Sequence, residues 1–263
     1  MKNILDFARA KREERPVVML TAYDALMARL LAASEVDAIL VGDSAAMVVH
    51  GFPSTIHATV DMIVVHTAAV RRGAPGAIVI ADMPFLSVRC GREEAVRAAG
   101  ALMQAGATAV KIEGVAGHEE IISHLVESGI PVMGHLGLTP QAVHQLGGFR
   151  VQGRTTGEAS RLMHEARLLE RLGAFAVVLE CVPAALAAAI SRGLAIPVIG
   201  IGAGGATDGQ VLVLADLLGL DAGFHPRFAR RYREGHADAL AAVNAFVRDV
   251  RAARFPAPEE VLA

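Results

Sequence analysis

Five apolar runs in the chain each end on a polar or ionisable residue. They are Asp37-AILVG-Asp43-Ser44, Ala77-IVIA-Asp82, Ala109-V-Lys111-I-Glu113, Pro131-VMG-His135 and Ala174-FAVVL-Glu180. Each run has strand length and is rich in Val, Ile and Leu, as expected of strands buried on both faces. Charge is costly inside such a core, so the ionisable tips belong where the sheet meets solvent. If the strands are parallel, the tips share one end of the sheet.

Helical segments alternate with these runs. An amphipathic helix over 3–13 is positioned to close the bottom of a barrel, and Pro16-VVMLTAY reads as the first strand. Helices follow over 24–34, 60–72, 91–107, 117–128, 158–172 and 184–192. Pro197-VIGIGAG is the seventh strand and Val211-LVL the best candidate for the eighth. Long loops are expected over 46–59 and 136–157. A last helix spans 237–253, with a loose tail beyond it. No linker, charge run or repeat interrupts the βα alternation. Closed barrels and open doubly wound sheets both alternate in this way. Polar groups ending successive strands favour closure, because an open sheet spreads its strand ends along a line. The expectation is a single-domain α/β protein over 1–263, a (β/α)8 TIM barrel with an N-terminal helix and a C-terminal helical extension.

The 263 residues suffice for one such barrel, and a hydrophobic fraction of 53% supports a large core. A formal charge of -2 gives no electrostatic case for nucleic acid or an anionic membrane. Apolar stretches break well before the roughly 18 residues of a membrane span, and the N-terminus lacks a secretory apolar region. Cys90 and Cys181 have no metal or disulfide spacing. A cytoplasmic protein is expected.

A lone Asp at a strand end is more often a helix or loop cap than a ligand. Asp43, Asp82 and Glu113 on three successive strands suggest more, since three hard oxygen donors at one mouth suit Mg²⁺. Lys111 and Glu113, two apart on a strand, face the same side. Lys111 is open to three readings: an internal ion pair, a cation for a substrate carboxylate, or a Schiff-base amine. His135 and Glu180 complete the ring, as acid/base groups or as ion-pair partners. Gly200-IGAGG resembles a phosphate cradle but follows the seventh strand, which makes it weak evidence for a dinucleotide. From these residues alone, the expectation is a Mg²⁺-dependent barrel enzyme acting on a small carboxylate.

Longer strings are more specific. MLTAYDALMARLL, ILVGDSAAMVVHG, VIADMPF, AVKIEG, PVMGHLGLTPQAV, GFRVQG and GIGAGGATDGQVLVLADLLGL together resemble the ketopantoate hydroxymethyltransferase family, over most of the chain from Thr21 to Gly223. The resemblance implies transfer of a hydroxymethyl group from 5,10-methylenetetrahydrofolate to 3-methyl-2-oxobutanoate, giving ketopantoate for pantothenate biosynthesis. It implies Asp43 and Asp82 as Mg²⁺ ligands, with Glu113 completing the site directly or through water. It further implies keto-acid contacts from Ser44, Lys111 and the metal-bound Asp43 and Asp82, with His135 lining the pocket and Glu180 as the proton acceptor. The implied partners are small molecules and further copies of the chain, as a homodecamer. Departures from the family pattern are local: His50, Pro53 and His57 after GDS, and Val115 after KIEG. The rival readings are a metal-dependent aldolase, lyase or mutase on 2-keto acids without folate, a Schiff-base aldolase, and a non-catalytic binding barrel.

Overall fold

Eight parallel strands close on themselves in sequence order in the computed structural model, which describes all residues except Lys2, Phe224, Leu262 and Ala263. They are β1 (Val17–Thr21), β2 (Ala38–Val41), β3 (Ile78–Asp82), β4 (Ala109–Glu113), β5 (Val132–Gly137), β6 (Ala176–Glu180), β7 (Val198–Ile201) and β8 (Gly209–Leu212). β1 pairs with both β2 and β8, which closes the ring. Helices connect the strands except between β7 and β8, which a short loop joins, and the architecture is the expected TIM barrel. All eight strands belong to one compact unit, Met1–Leu212; a second, Val213–Ala263, carries helices Leu214–Leu218 and Gly235–Arg251.

Strand alternation fills the interior. Val17, Met19, Ala38, Leu40, Ile78, Ile80, Ala109, Met133, Ala176, Val178 and Ile199 form one buried cluster. Continuing the same alternation toward the C-terminal ends puts Asp82, Lys111, Glu113, His135 and Glu180 on the inward face. The barrel is therefore apolar below and ionisable above, a division set by period-two spacing within each strand.

The bottom is closed by helix Leu5–Arg12. Phe7 is fully buried in the interior cluster and meets Phe175 edge to face at 5.1 Å. Lys11 leaves the helix surface for the barrel, donating to Ser191 O at 2.7 Å and Ile196 O at 3.0 Å, and pairing with Asp208 at 2.8 Å. Arg71 is a similar brace, donating to Gly106 O, Pro75 O and Ala77 O.

Several boundaries differ from the sequence-based expectation. The eighth strand begins at Gly209, two residues before the Val211 start expected for it. A Cβ at Gly209 would lie 2.3 Å from Val17 O, so only glycine lets the strand start this close to β1. β5 runs past His135 to Gly137. The expected loops contain short helices, Ala45–Val48 and Val143–Leu146, and 3₁₀ turns at Thr55–His57 and Pro140–Ala142. The last helix is Gly235–Arg251, and the tail expected to be loose contains a 3₁₀ turn at Pro258–Glu260.

Phe7→Ala removes the aromatic plug and should lower the unfolding free energy of the chain by about 3 to 5 kcal/mol. Urea unfolding followed by circular dichroism measures this. A loss under about 1 kcal/mol would show that the N-terminal helix lies outside the cooperative unit.

Candidate active site

The site is built from the C-terminal ends of β2 to β6. Strand register makes Asp82 the direct neighbour of Lys111, and Glu113 the neighbour of His135. Asp43 and Ser44 follow β2 after Gly42, where a Cβ would lie 2.6 Å from Ser44 Oγ. Glycine there leaves room for the Ser44 hydroxyl to sit close against the chain.

The seven residues singled out from the sequence gather in this one region. Asp82 uses its two oxygens differently. Oδ2 accepts the Asp43 backbone N–H at 2.9 Å, and Oδ1 lies 2.8 Å from Lys111 Nζ. Lys111 Nζ is also 3.2 Å from His135 Nδ1. His135 stands between two carboxylates, with Nδ1 3.4 Å from Glu113 Oε1 and Nε2 3.3 Å from Glu180 Oε2. Ser44 Oγ shares a 2.8 Å hydrogen bond with the Tyr23 hydroxyl. Asp43, Asp82, Lys111 and His135 are all buried.

Four carboxylates thus face one ammonium and one imidazole, and the proton affinities reflect the crowding. Burial, then the charges of Asp82 and Glu113, push the Asp43 carboxyl well above its usual range. Burial opposes the charged form of Lys111, but Asp82, Glu113 and Asp43 outweigh it and hold the ammonium above its ordinary value. Burial and Lys111 also oppose a charged His135, yet hydrogen bonding to Glu113 and Glu180 raises it to about 9. Burial works against ionised Glu113; its bond to His135 prevails and lowers it. The imidazole is therefore held as a cation between Glu113 and Glu180 at neutral pH.

The carboxylates outnumber the cations beside them. Asp82 Oδ1 and Glu113 Oε1 are shut off from solvent without a well-aligned hydrogen bond, although a cationic side chain lies near each. Hard oxygens with unmet lone pairs, beside a third carboxyl that resists ionisation, fit a divalent cation. The three do not form a finished cage, however. Among the described residues no group of three or more His, Cys, Asp or Glu side chains is gathered closely enough to hold a metal. Glu113 is turned toward His135 and the Gln141 backbone N–H, which leaves Asp43 and Asp82 as the adjacent pair.

Two contributors were not singled out from the sequence. Gln141 donates through Nε2 to Asp43 Oδ2 at 2.8 Å and to Met83 O at 3.0 Å; its backbone N–H donates to Glu113 Oε2 at 3.0 Å. Tyr23, whose hydroxyl burial pushes up to about 12, holds Ser44. Both belong to the quoted strings, but Tyr23 ends the first run without an ionised group to mark it, and Gln141 lies in an expected loop. The Gly200 segment has a different part: Thr207 and Gln210 crowd the Cβ position of Gly200, at 2.8 and 3.1 Å, as β7 packs on β8. Beside the carboxylates a cavity of about 650 Å³ reaches from Glu113 and Gln141 past Phe85 and Leu146 to Arg89 and Arg161.

Among solved structures the chain is similar to a phosphoenolpyruvate phosphomutase from Streptomyces platensis subsp. rosaceus, with TM-score 0.65 and 15% identity over 99% of this chain and 92% of that one. It is also similar to a phosphonopyruvate hydrolase solved with oxalate and Mg²⁺, with TM-score 0.65 and 13% identity, covering 99% and 93% of the two chains. These likenesses concern the fold. Sequence relatives are closer. The 3-methyl-2-oxobutanoate hydroxymethyltransferase of Francisella tularensis subsp. tularensis (strain WY96-3418) is 46% identical over 98% of both chains. That of Legionella pneumophila (strain Lens) is 49% identical over 97% of this chain and 98% of its own. The Bdellovibrio bacteriovorus enzyme of the same name (strain ATCC 15356 / DSM 50701 / NCIMB 9529 / HD100) is 49% identical over 99% of both. With the ketopantoate hydroxymethyltransferase family model matching residues 1–258 as well, the chain belongs to that family of transferases.

Proposed function

We propose that the chain transfers a hydroxymethyl group from 5,10-methylenetetrahydrofolate to 3-methyl-2-oxobutanoate, forming ketopantoate (2-dehydropantoate). The observation that carries this reading is the ring of Asp43, Asp82, Lys111, Glu113, His135 and Glu180 at one barrel mouth, in a chain whose relatives bear the name of that activity. Asp43 and Asp82 would hold Mg²⁺, and Glu113 would complete its surroundings through water, consistent with the few protein carboxylates that this ion takes. When bound, the ion supplies Lewis-acid polarisation of the keto carbonyl, typically several kcal/mol of charge stabilisation.

The remaining work falls to the chain. Lys111, kept cationic by its acidic neighbours, offsets the substrate carboxylate, and Ser44 orients it with Tyr23 behind. Glu180 accepts the proton from C3. His135 engages one Glu180 oxygen, at 3.3 Å, which leaves the other for the substrate and fixes the direction of transfer. The electron pair left at C3 forms the new C–C bond to the one-carbon unit as its bonds to the folate nitrogens break; water supplies the hydroxyl oxygen. The cavity beside Glu113 and Gln141 is the entry for the folate, with Phe85 for its rings and Arg89 and Arg161 for its carboxylates.

The same reading places the enzyme in the cytoplasm as a homo-oligomer, a homodecamer by resemblance. No helix among the described residues is long and apolar enough to cross a membrane. In the C-terminal unit, Leu240, Val243, Phe246 and Val250 are exposed along helix Gly235–Arg251, an apolar face suited to like chains.

Ketopantoate should form from 3-methyl-2-oxobutanoate only when Mg²⁺ and the folate donor are both present. Turnover with free formaldehyde matching that with the folate would point instead to an aldolase. Glu180→Gln should keep binding the keto acid but stop exchange of its C3 hydrogen with deuterated water, followed by NMR; undiminished exchange removes Glu180 from the base role. Mg²⁺ should raise Tm, by the equivalent of about 2.7 kcal/mol at a hundredfold excess over Kd. Because Asp43 binds its proton more tightly in the folded chain than in the unfolded one, its ionisation costs stability as pH rises above the ordinary carboxylate range toward its native value. The Mg²⁺-induced shift should therefore grow with pH across that window and vanish in Asp43→Asn.

A further inference from the structure

We propose that Gln141 is a positioning residue, whose side chain holds Asp43 beside Asp82 while its backbone N–H holds Glu113 against His135, so that the carboxylates keep their places around the centre of the site. The inference rests on the proposed reading of that centre as a divalent-cation site. Gln141 does not touch the keto acid in that reading and acts through the carboxylates.

The geometry is over-determined. Both polar hydrogens of the amide are used, one on Asp43 Oδ2 and one on Met83 O, at 2.8 and 3.0 Å. Both partners are acceptors, so turning the amide over would put its oxygen against a carboxylate and a carbonyl. The NH₂ group must face inward. The backbone N–H takes Glu113 Oε2 at 3.0 Å. One residue thereby ties together groups from the ends of β2, β3 and β4. It claims one oxygen of each of two carboxylates and leaves the other, which in Glu113 is the buried Oε1 that lies 3.4 Å from His135 Nδ1. Gln141 sits in the 3₁₀ turn Pro140–Ala142, where Pro140 limits the freedom of the chain just before it.

The same residue also lines the cavity beside the site. A molecule that displaces this turn would move Asp43 through the side chain and Glu113 through the backbone at once. Gln141 is thus the joint between the cavity and the carboxylate cluster.

The test is calorimetric titration of Mg²⁺ into wild type, Gln141→Ala and Gln141→Met in the presence of 3-methyl-2-oxobutanoate, with circular dichroism confirming that each is folded. Methionine has a similar shape without donors, so it isolates the two hydrogen bonds from packing and serves if the alanine variant does not fold. The expected result is Mg²⁺ affinity about tenfold to a hundredfold weaker in both variants, as for other partners that orient metal ligands. In steady-state assays the half-saturating Mg²⁺ concentration should rise, with kcat at saturating Mg²⁺ changing far less. Variants that bind Mg²⁺ like wild type, whether or not their Tm falls, would overturn the inference and leave Gln141 as a brace for its turn. A wild-type protein that does not bind Mg²⁺ at all would sink the cation reading, and this inference with it.

Discussion

Like charge held together in a buried place organises this molecule. Asp43, Asp82 and Glu113 meet at a barrel mouth where water is largely excluded, and Lys111 with His135 supplies the opposing charge. Removing an ion from water costs several kcal/mol, and its neighbours must repay that cost. The nearby structural devices serve this concentration: the register that sets Asp82 beside Lys111, the glycine that leaves room for Ser44 after β2, and the backbone N–H groups of Asp43 and Gln141.

His135 makes the balance finer. As a neutral ring it would offer one N–H to two carboxylates; as a cation it offers one to each. Flanked by Glu113 and Glu180, it is held up to about 9, and it also faces the Lys111 ammonium. Contacts run without a break from Asp82 through Lys111 and His135 to Glu180, so a change of charge at one of these groups alters the field at the others.

Much of this was legible in the amino-acid sequence because buried strands tolerate ionisable groups only at their ends. Asp82, Glu113 and Glu180 each end a strand, and their common destination followed from parallel closure. The limits of the reading are physical as well. Gln141 is uncharged and lies in a turn without periodicity, so no pattern marked it. Helices of four residues, such as Ala45–Val48 and Val143–Leu146, are too short to display an amphipathic repeat. The start of β8 depended on how closely Gly209 approaches Val17, a fact about a strand almost two hundred residues earlier. Glu113, expected to complete a cation site directly or through water, is drawn aside by His135 and Gln141, a placement that no strand pattern specifies.

The lower end of the barrel has a consequence for how the chain comes together. Lys11 is made early in synthesis, whereas Ser191, Ile196 and Asp208 lie 180, 185 and 197 residues further along. Until those acceptors emerge from the ribosome, the first helix has no seat and the first strand lacks its partner on one side. The ring can close at β1 only once β8 has been made, and the contact that braces this closure joins the first helix to the residue just before β8.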